Sequence, residues 1–267
     1  MIIKKNSEQI KGIREAGRIV AEAIAGMAEA VKPGMTTKEL ENVARKIFEK
    51  NNAQSAFLGY RPGRRMPAYP GFICISINDE IVHGIPGNKV IDYGDLVSVD
   101  VGSLYNGFVG DSAATYIMEG ASKEAKRLAW VTYNALHKGI DAAKVGGKIS
   151  DISRAVQSYV ESNGYSVVRD LVGHGVGIHL HEEPQVPNFV DNSIPDVYIF
   201  SGMTIAIEPM VCEKNYFTIT DRDGWTVRTA DRGLSAHFEH SIAITDEGTQ
   251  IMTVLSDGSE PYVPPEP

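Results

Sequence analysis

Leu96-Val97-Ser98-Val99-Asp100-Val101-Gly102-Ser103-Leu104-Tyr105-Asn106-Gly107-Phe108-Val109-Gly110-Asp111-Ser112 is the stretch on which the fold turns. Asn-Gly between two apolar runs is the pair that a two-residue hairpin turn demands, because both of its residues need positive φ. The segment therefore reads as a β-hairpin that carries Asp100 on one strand and Asp111 on the other. Cross-strand neighbours sit about 5 Å apart, where two carboxylates repel by about 3 kcal/mol at an effective dielectric of 20. A bound cation would remove that cost.

Three further candidate ligands follow, each inside a short motif. His174 stands in Gly173-His174-Gly175-Val176-Gly177, where flanking glycines would let the backbone crowd a ligand or metal. Glu208 ends the apolar run Thr204-Ile205-Ala206-Ile207, and Glu239 opens Glu239-His240-Ser241-Ile242. A carboxylate in such a strand is buried, which is costly unless it is paired or holds a metal. Four carboxylates and one imidazole suit Mn, Fe(II), Co or Zn, and carboxylates that bridge favour a pair of ions.

Around this set the chain reads as an ordinary globular protein. It has 267 residues, 43% hydrophobic, with 26 basic against 34 acidic residues and a net charge of −8, which argues against a nucleic-acid surface. Cys74 and Cys212 can make neither a disulfide framework nor a thiolate zinc site, so a reducing, cytoplasmic setting is expected. Residues 1–30 are broken by Lys4, Lys5, Glu8, Lys11, Arg14 and further charges, which leaves no signal-peptide core and no membrane span.

The apolar residues Ile10, Ile13, Ala16, Ile19, Val20, Ala23, Ile24 and Met27 predict an amphipathic helix from about Ser7 to Val31, closed by Pro33-Gly34. The capping box Thr36-x-x-Glu39 opens a second helix, to Asn51. Strands are predicted over Ile73 to Ile77 and Leu96 to Met118. The helical order then repeats, from about Ser122 to Ala143 and, after Gly146-Gly147, from Ser150 to Ser162. A shift of 112 residues superposes Gly34 on Gly146, Leu40 on Ile152, Phe48 on Val160 and Asn51 on Asn163. The expectation is one α+β domain over 1–267, made of related halves at about 7–120 and 121–255, with 256–267 as a disordered or edge-packed tail.

Together with Cys74-Ile75-Ser76-Ile77-Asn78, His83-Gly84-Ile85-Pro86 and His181-Glu182-Glu183-Pro184, these motifs make the chain, from about residue 5 to 255, similar to the methionine aminopeptidases of the pita-bread metallopeptidase family, in their short type I form. The resemblance implies a pita-bread fold of two pseudo-symmetric halves around a central dimetal site. One ion would take Asp111, His174, Glu208 and Glu239; the other would take Asp100 with the bridging Asp111 and Glu239. It implies removal of the initiator methionine from nascent polypeptides when the next residue is small, with Glu208 as the base for the attacking water. His181 would steady the oxyanion, and His83 would meet the scissile nitrogen or help protonate the leaving amine. Tyr60, Tyr69, Cys74, Leu180 and Trp225 would line the pocket for the methionine side chain. The Arg61-to-Phe72 stretch is longer than in many type I enzymes, which bears on the pocket mouth and on Tyr69. His137, His179, His237 and His240 gain no metal role, although extended backbone would set His179 and His181 on one face. A monomer is expected. The ribosome enters as a further partner through the substrate alone, since no docking extension is visible. The alternatives are an Xaa-Pro aminopeptidase, against which stands the lack of room for its extra N-terminal domain, and a binding module that has lost catalysis, against which stands the complete ligand set.

Overall fold

In a computed structural model that describes residues 1–63 and 66–267, helix α1 spans Ser7–Ala30 and α2 spans Thr37–Lys50; α3 spans Lys123–Ala142 and α4 spans Ile149–Ser162. Each predicted helix is present. The stripe on α1 is buried from Ile13 to Met27, and Asn6 with Gln9 supplies a capping box that the apolar periodicity had not indicated. Helices α2 and α4 begin and end 112 residues apart, and their C-terminal residues Asn51 and Asn163 share one backbone geometry. Matching bonds tie down the entry to each: Gly34 N–H donates to Ile91 O at 2.8 Å and Gly146 N–H to Ile199 O at 2.9 Å. No helix among the described residues is long and apolar enough to cross a membrane.

One nine-stranded antiparallel sheet organises the site. From one edge its order is Gln54–Ser55, Leu96–Tyr105, Phe108–Ile117, Glu239–Thr245, Met203–Ile207, Gly173–Gly175, Glu182–Val186; Cys74–Ile77 also pairs with the second strand and Gly248–Ile251 with the fourth. The hairpin turns where expected, with Asn106 at φ 49° and Gly107 at φ 82°. Its register sets Asp100 opposite Ala113 and Asp111 opposite Gly102, so the two aspartates share a face as diagonal neighbours rather than as a direct pair.

The helices cover the other face. Ile19, Val20, Ile24, Met27, Leu128, Leu136, Val156 and the outward residues of the central strands form the main apolar core. Close approach of α1 to the hairpin depends on a missing side chain, since a Cβ on Gly110 would lie 2.5 Å from the backbone nitrogen of Gly17. Ser103 Oγ donates to Ala16 O at 2.8 Å beside that contact. At the far end, the tail is packed rather than disordered: Tyr262 sets its ring 5.0 Å from Tyr116 and 6.5 Å from Phe238.

Gly110→Ala is expected to destabilise the fold by about 3 kcal/mol, the upper end for overpacking, because backbone on both sides blocks relaxation. A shift in the urea midpoint measures it. An unchanged midpoint would mean that α1 is not held by this contact.

Candidate metal centre

The register carries all five candidate ligands to one face of five adjacent strands. In antiparallel pairs, opposed residues point the same way, and so do alternate residues along a strand. Asp100 opposes Ala113, which alternates with Asp111 and opposes Glu239; Ser241, two residues on from Glu239, opposes Ala206, which opposes His174 and alternates with Glu208. Small residues, Gly102, Ala113 and Ala206, occupy the positions between, which leaves room for the charged side chains.

Asp111, His174 and Glu239 each offer a ligand atom within 4.8 Å of the other two. His174 Nε2 stands 3.5 Å from Glu208 Oε1 and 3.8 Å from Asp111 Oδ2. Its Nδ1–H donates to Gly175 O at 2.9 Å, which fixes the tautomer and leaves the Nε2 lone pair for a cation. Ser241 holds Asp111 from the neighbouring strand, accepting its N–H and donating to its carbonyl. Asp100 Oδ1, Asp111 Oδ1 and Glu239 Oε1 are buried with no hydrogen-bond partner. Burial drives the Asp100 carboxyl up to about 7, and burial followed by mutual repulsion raises Asp111, Glu208 and Glu239 well above the usual carboxylate range. Burial also pushes His174 down to about 3. Orphaned carboxylate oxygens around a neutral imidazole fit hard or borderline divalent ions.

The glycines around His174 have a different task from the one expected. A Cβ on Gly173 would meet Ala206 O at 2.5 Å and one on Gly175 would meet Glu183 O at 2.3 Å. They let neighbouring strands close on the ligand strand, rather than letting a ligand approach.

The face opens into a cavity of about 480 Å³ lined by all five candidate ligands together with Tyr60, Tyr69, Cys74, His83, Leu180, His181 and Trp225. Cys74 opposes Asp100 across the strands, and burial keeps its thiol protonated. Tyr69 donates to Gly84 O at 2.9 Å and presents its ring edge-on to Trp225 at 5.1 Å. Of the Arg61-to-Phe72 stretch, Met66 and Pro62 also line the cavity, while Arg64 and Arg65 lie outside the described residues. Phe57, Val82 and Met210 complete the apolar wall and were not foreseen; nothing in their local pattern marks them. Nor was His237, which is buried with Nε2 unpartnered, 3.8 Å from Glu208 Oε2.

His83 takes φ 61°, and burial lowers its imidazole to about 4. His181 sets its ring 4.3 Å from that of His174, and its Nδ1 lies 2.6 Å from the Tyr60 hydroxyl. The segment between the ligand and His181 is bent instead of extended, so His179 is exposed and only His181 reaches the cavity. Glu182 shapes that bend. One carboxylate oxygen accepts the N–H groups of Ile178 and His179, and the other pairs with Lys5, both side chains being almost wholly buried. In the sequence Lys5 is one of several charges near the N-terminus, with no mark of burial. His240 points to the opposite face, as alternation predicts.

Residues 11–246 match the model of metallopeptidase family M24. The methionine aminopeptidase of Aquifex aeolicus is 47% identical over 252 residues, spanning 94% of this chain and 98% of that protein. A crystal structure of a methionine aminopeptidase from Thermotoga maritima superposes with a TM-score of 0.90 at 42% identity, over 95% of this chain and 99% of the other. A prolidase from Pyrococcus horikoshii, 22% identical with a TM-score of 0.73, shares the fold, with 96% of this chain matching 65% of it.

Metal must displace protons from these carboxyls. Affinity is therefore expected to rise with pH through the Asp100 value of about 7, with proton release detected by calorimetry in buffers of different ionisation heat. For the metal-free protein the raised Asp100 carboxyl favours folding fully below the ordinary carboxylate pKa, and that contribution is lost as pH rises through about 7. Its melting temperature should fall between about pH 5 and pH 8, and the metal-loaded protein should not follow. Equal pH profiles would contradict the site.

Proposed function

The chain belongs to metallopeptidase family M24, and from that membership we propose that it is a methionine aminopeptidase, a hydrolase that removes the N-terminal methionine of new polypeptides. The observation that carries this reading is the convergence of five ligands on the floor of an apolar cavity whose rim bears His83 and His181. Two divalent ions, of Mn, Fe(II), Co or Zn, would be held by Asp111, His174, Glu208 and Glu239 on one side and by Asp100 with Asp111 and Glu239 on the other. When bound, they acidify water and polarise the scissile carbonyl.

The residues of the chain supply the rest. The methionine side chain enters between Tyr60, Tyr69, Cys74, Leu180 and Trp225, where a polarizable wall suits an unbranched thioether. Glu208 accepts the proton of the attacking water and returns it toward the leaving amine. Tyr60 donates its hydroxyl proton to His181 Nδ1, which keeps the single proton of the neutral imidazole on Nε2, as a donor to the developing oxyanion. His83, whose burial favours the neutral imidazole, meets the scissile nitrogen or helps protonate the leaving amine. The buried Lys5–Glu182 pair keeps the His181 bend in place. We place the enzyme in the cytoplasm as a monomeric single domain of two halves acting on chains that leave the ribosome; the free cysteines support a reducing setting.

Peptides test the reading. Met-Ala and Met-Gly substrates should be cleaved far faster than Met-Ile, and Xaa-Pro peptides should be poor; efficient Xaa-Pro cleavage would favour the prolidase-like alternative, and no hydrolysis after metal loading would favour a binding module. His181→Ala should lower turnover by about a hundredfold with metal content intact, the size expected for one lost oxyanion donor. His179→Ala should change it little. The reverse ranking would reassign the catalytic imidazole.

A further inference from the structure

On the opposite face of the Glu239–Thr245 strand lies a second group of metal-type side chains, His137 from α3, His240 from the strand and Glu260 from the C-terminal segment. We propose that these three residues form a separate site for a divalent transition ion, zinc being the best fit. His137 Nε2 lies 3.3 Å and His240 Nε2 3.4 Å from Glu260 Oε2, and all three ligand atoms fall within 4.8 Å of one another. Bonds of about 2.0 to 2.2 Å at tetrahedral angles put ligand atoms about 3.3 to 3.6 Å apart. The two nitrogen–oxygen separations already stand at that spacing.

The imidazoles are prepared for the task. His240 is buried, and its Nδ1 lies 2.7 Å from the Thr253 hydroxyl; Nδ1–H donating there leaves the Nε2 lone pair free, the outer hydrogen bond that metal-bound histidines require. His137 packs its ring 4.5 Å from Tyr133, which limits its rotation. Two imidazoles and one carboxylate form a three-ligand zinc set with a fourth position for water. The side chains of His137 and Glu260 keep 28% and 19% of their exposure, so an ion can reach them from solvent. They are too far round the strand to share the peptidase ions, because alternation sends His240 away from Glu239.

Occupation would pin the tail. Glu260 is two residues from Tyr262, whose ring sits on Tyr116 and Phe238, so one ion would join α3, the central strand and the C-terminal segment. The site itself does not depend on the peptidase reading; only the turnover control of its test rests on it.

The test compares intact wild-type protein with His137→Ala and Glu260→Gln, each saturated with zinc, desalted and analysed for metal. Wild type should retain one zinc more per chain than either variant, and zinc should slow amide exchange over 253–262 in wild type alone. Peptidase turnover, reading the other face, should be unchanged in both variants and so report that they fold. Equal zinc content in the three folded proteins would overturn the site and leave the trio as a carboxylate hydrogen-bonded between two imidazoles. A variant that lost turnover would be replaced by His137→Gln, which keeps bulk and removes the ligand, with the same two outcomes.

Discussion

Four carboxylates held on one buried face of a sheet are a standing electrostatic liability, and the architecture is arranged around tolerating it. Burial and mutual repulsion favour their protonated forms, so the metal-free face is stable only at the cost of holding protons that ordinary carboxylic acids would have released. A divalent ion held there would turn that repulsion into attraction. The strands are braced around the site, with small residues between the candidate ligands and with Ser241 and Ser112 bridging main chains. The same rigidity serves catalysis, because ligands that are already in place need no reorganisation when substrate arrives.

The wall of the cavity away from the candidate ligands is built differently. His83 and His181 sit on bends, not strands, and each depends on a specific brace. For His83 the brace is local, a positive-φ residue followed by Gly84, where an added Cβ would lie 2.2 Å from Ile75 O. For His181 it is remote, since Glu182 folds the bend around its carboxylate and is neutralised by Lys5 from the start of the chain. A buried pair of this kind contributes little net stability compared with apolar packing, but removing one partner leaves an uncompensated charge. Its value here lies in geometry.

Much of this was legible in the residues themselves. Asn106-Gly107 set the hairpin, the 3.6-residue periodicity set four helices, and Thr36 with Glu39 set a helix start, because each of those signals acts within a few residues. The candidate ligands could be picked out because carboxylates inside apolar strands demand a reason. What escaped was non-local. Nothing near Lys5 says that Glu182 will reach it, nothing near Gly173 and Gly175 says that strands and not a ligand crowd them, and nothing near His237 says that its ring will end beside Glu208. The diagonal placement of Asp100 and Asp111 depended on a register that the turn fixes only once the strand ends are known. The tail residues Glu260 and Tyr262 offered no periodicity, and their docking is set by partners on α3 and the sheet.

The order of strands has a consequence for how the molecule is born. The strand Glu239–Thr245, which follows both of its neighbours in the chain, lies in the middle of the sheet, between Phe108–Ile117 and Met203–Ile207. The hairpin bearing the two aspartates and the strands bearing His174 and Glu208 can form early as separate pieces, but the sheet cannot become continuous across its centre until that late segment inserts between them. Contacts of such long sequence separation are slow to form. The sheet is thus continuous across its centre through Glu239 with Ala113 and His240 with Ser112, residues far apart in the chain, so the inner edge of the hairpin stays bare until they meet.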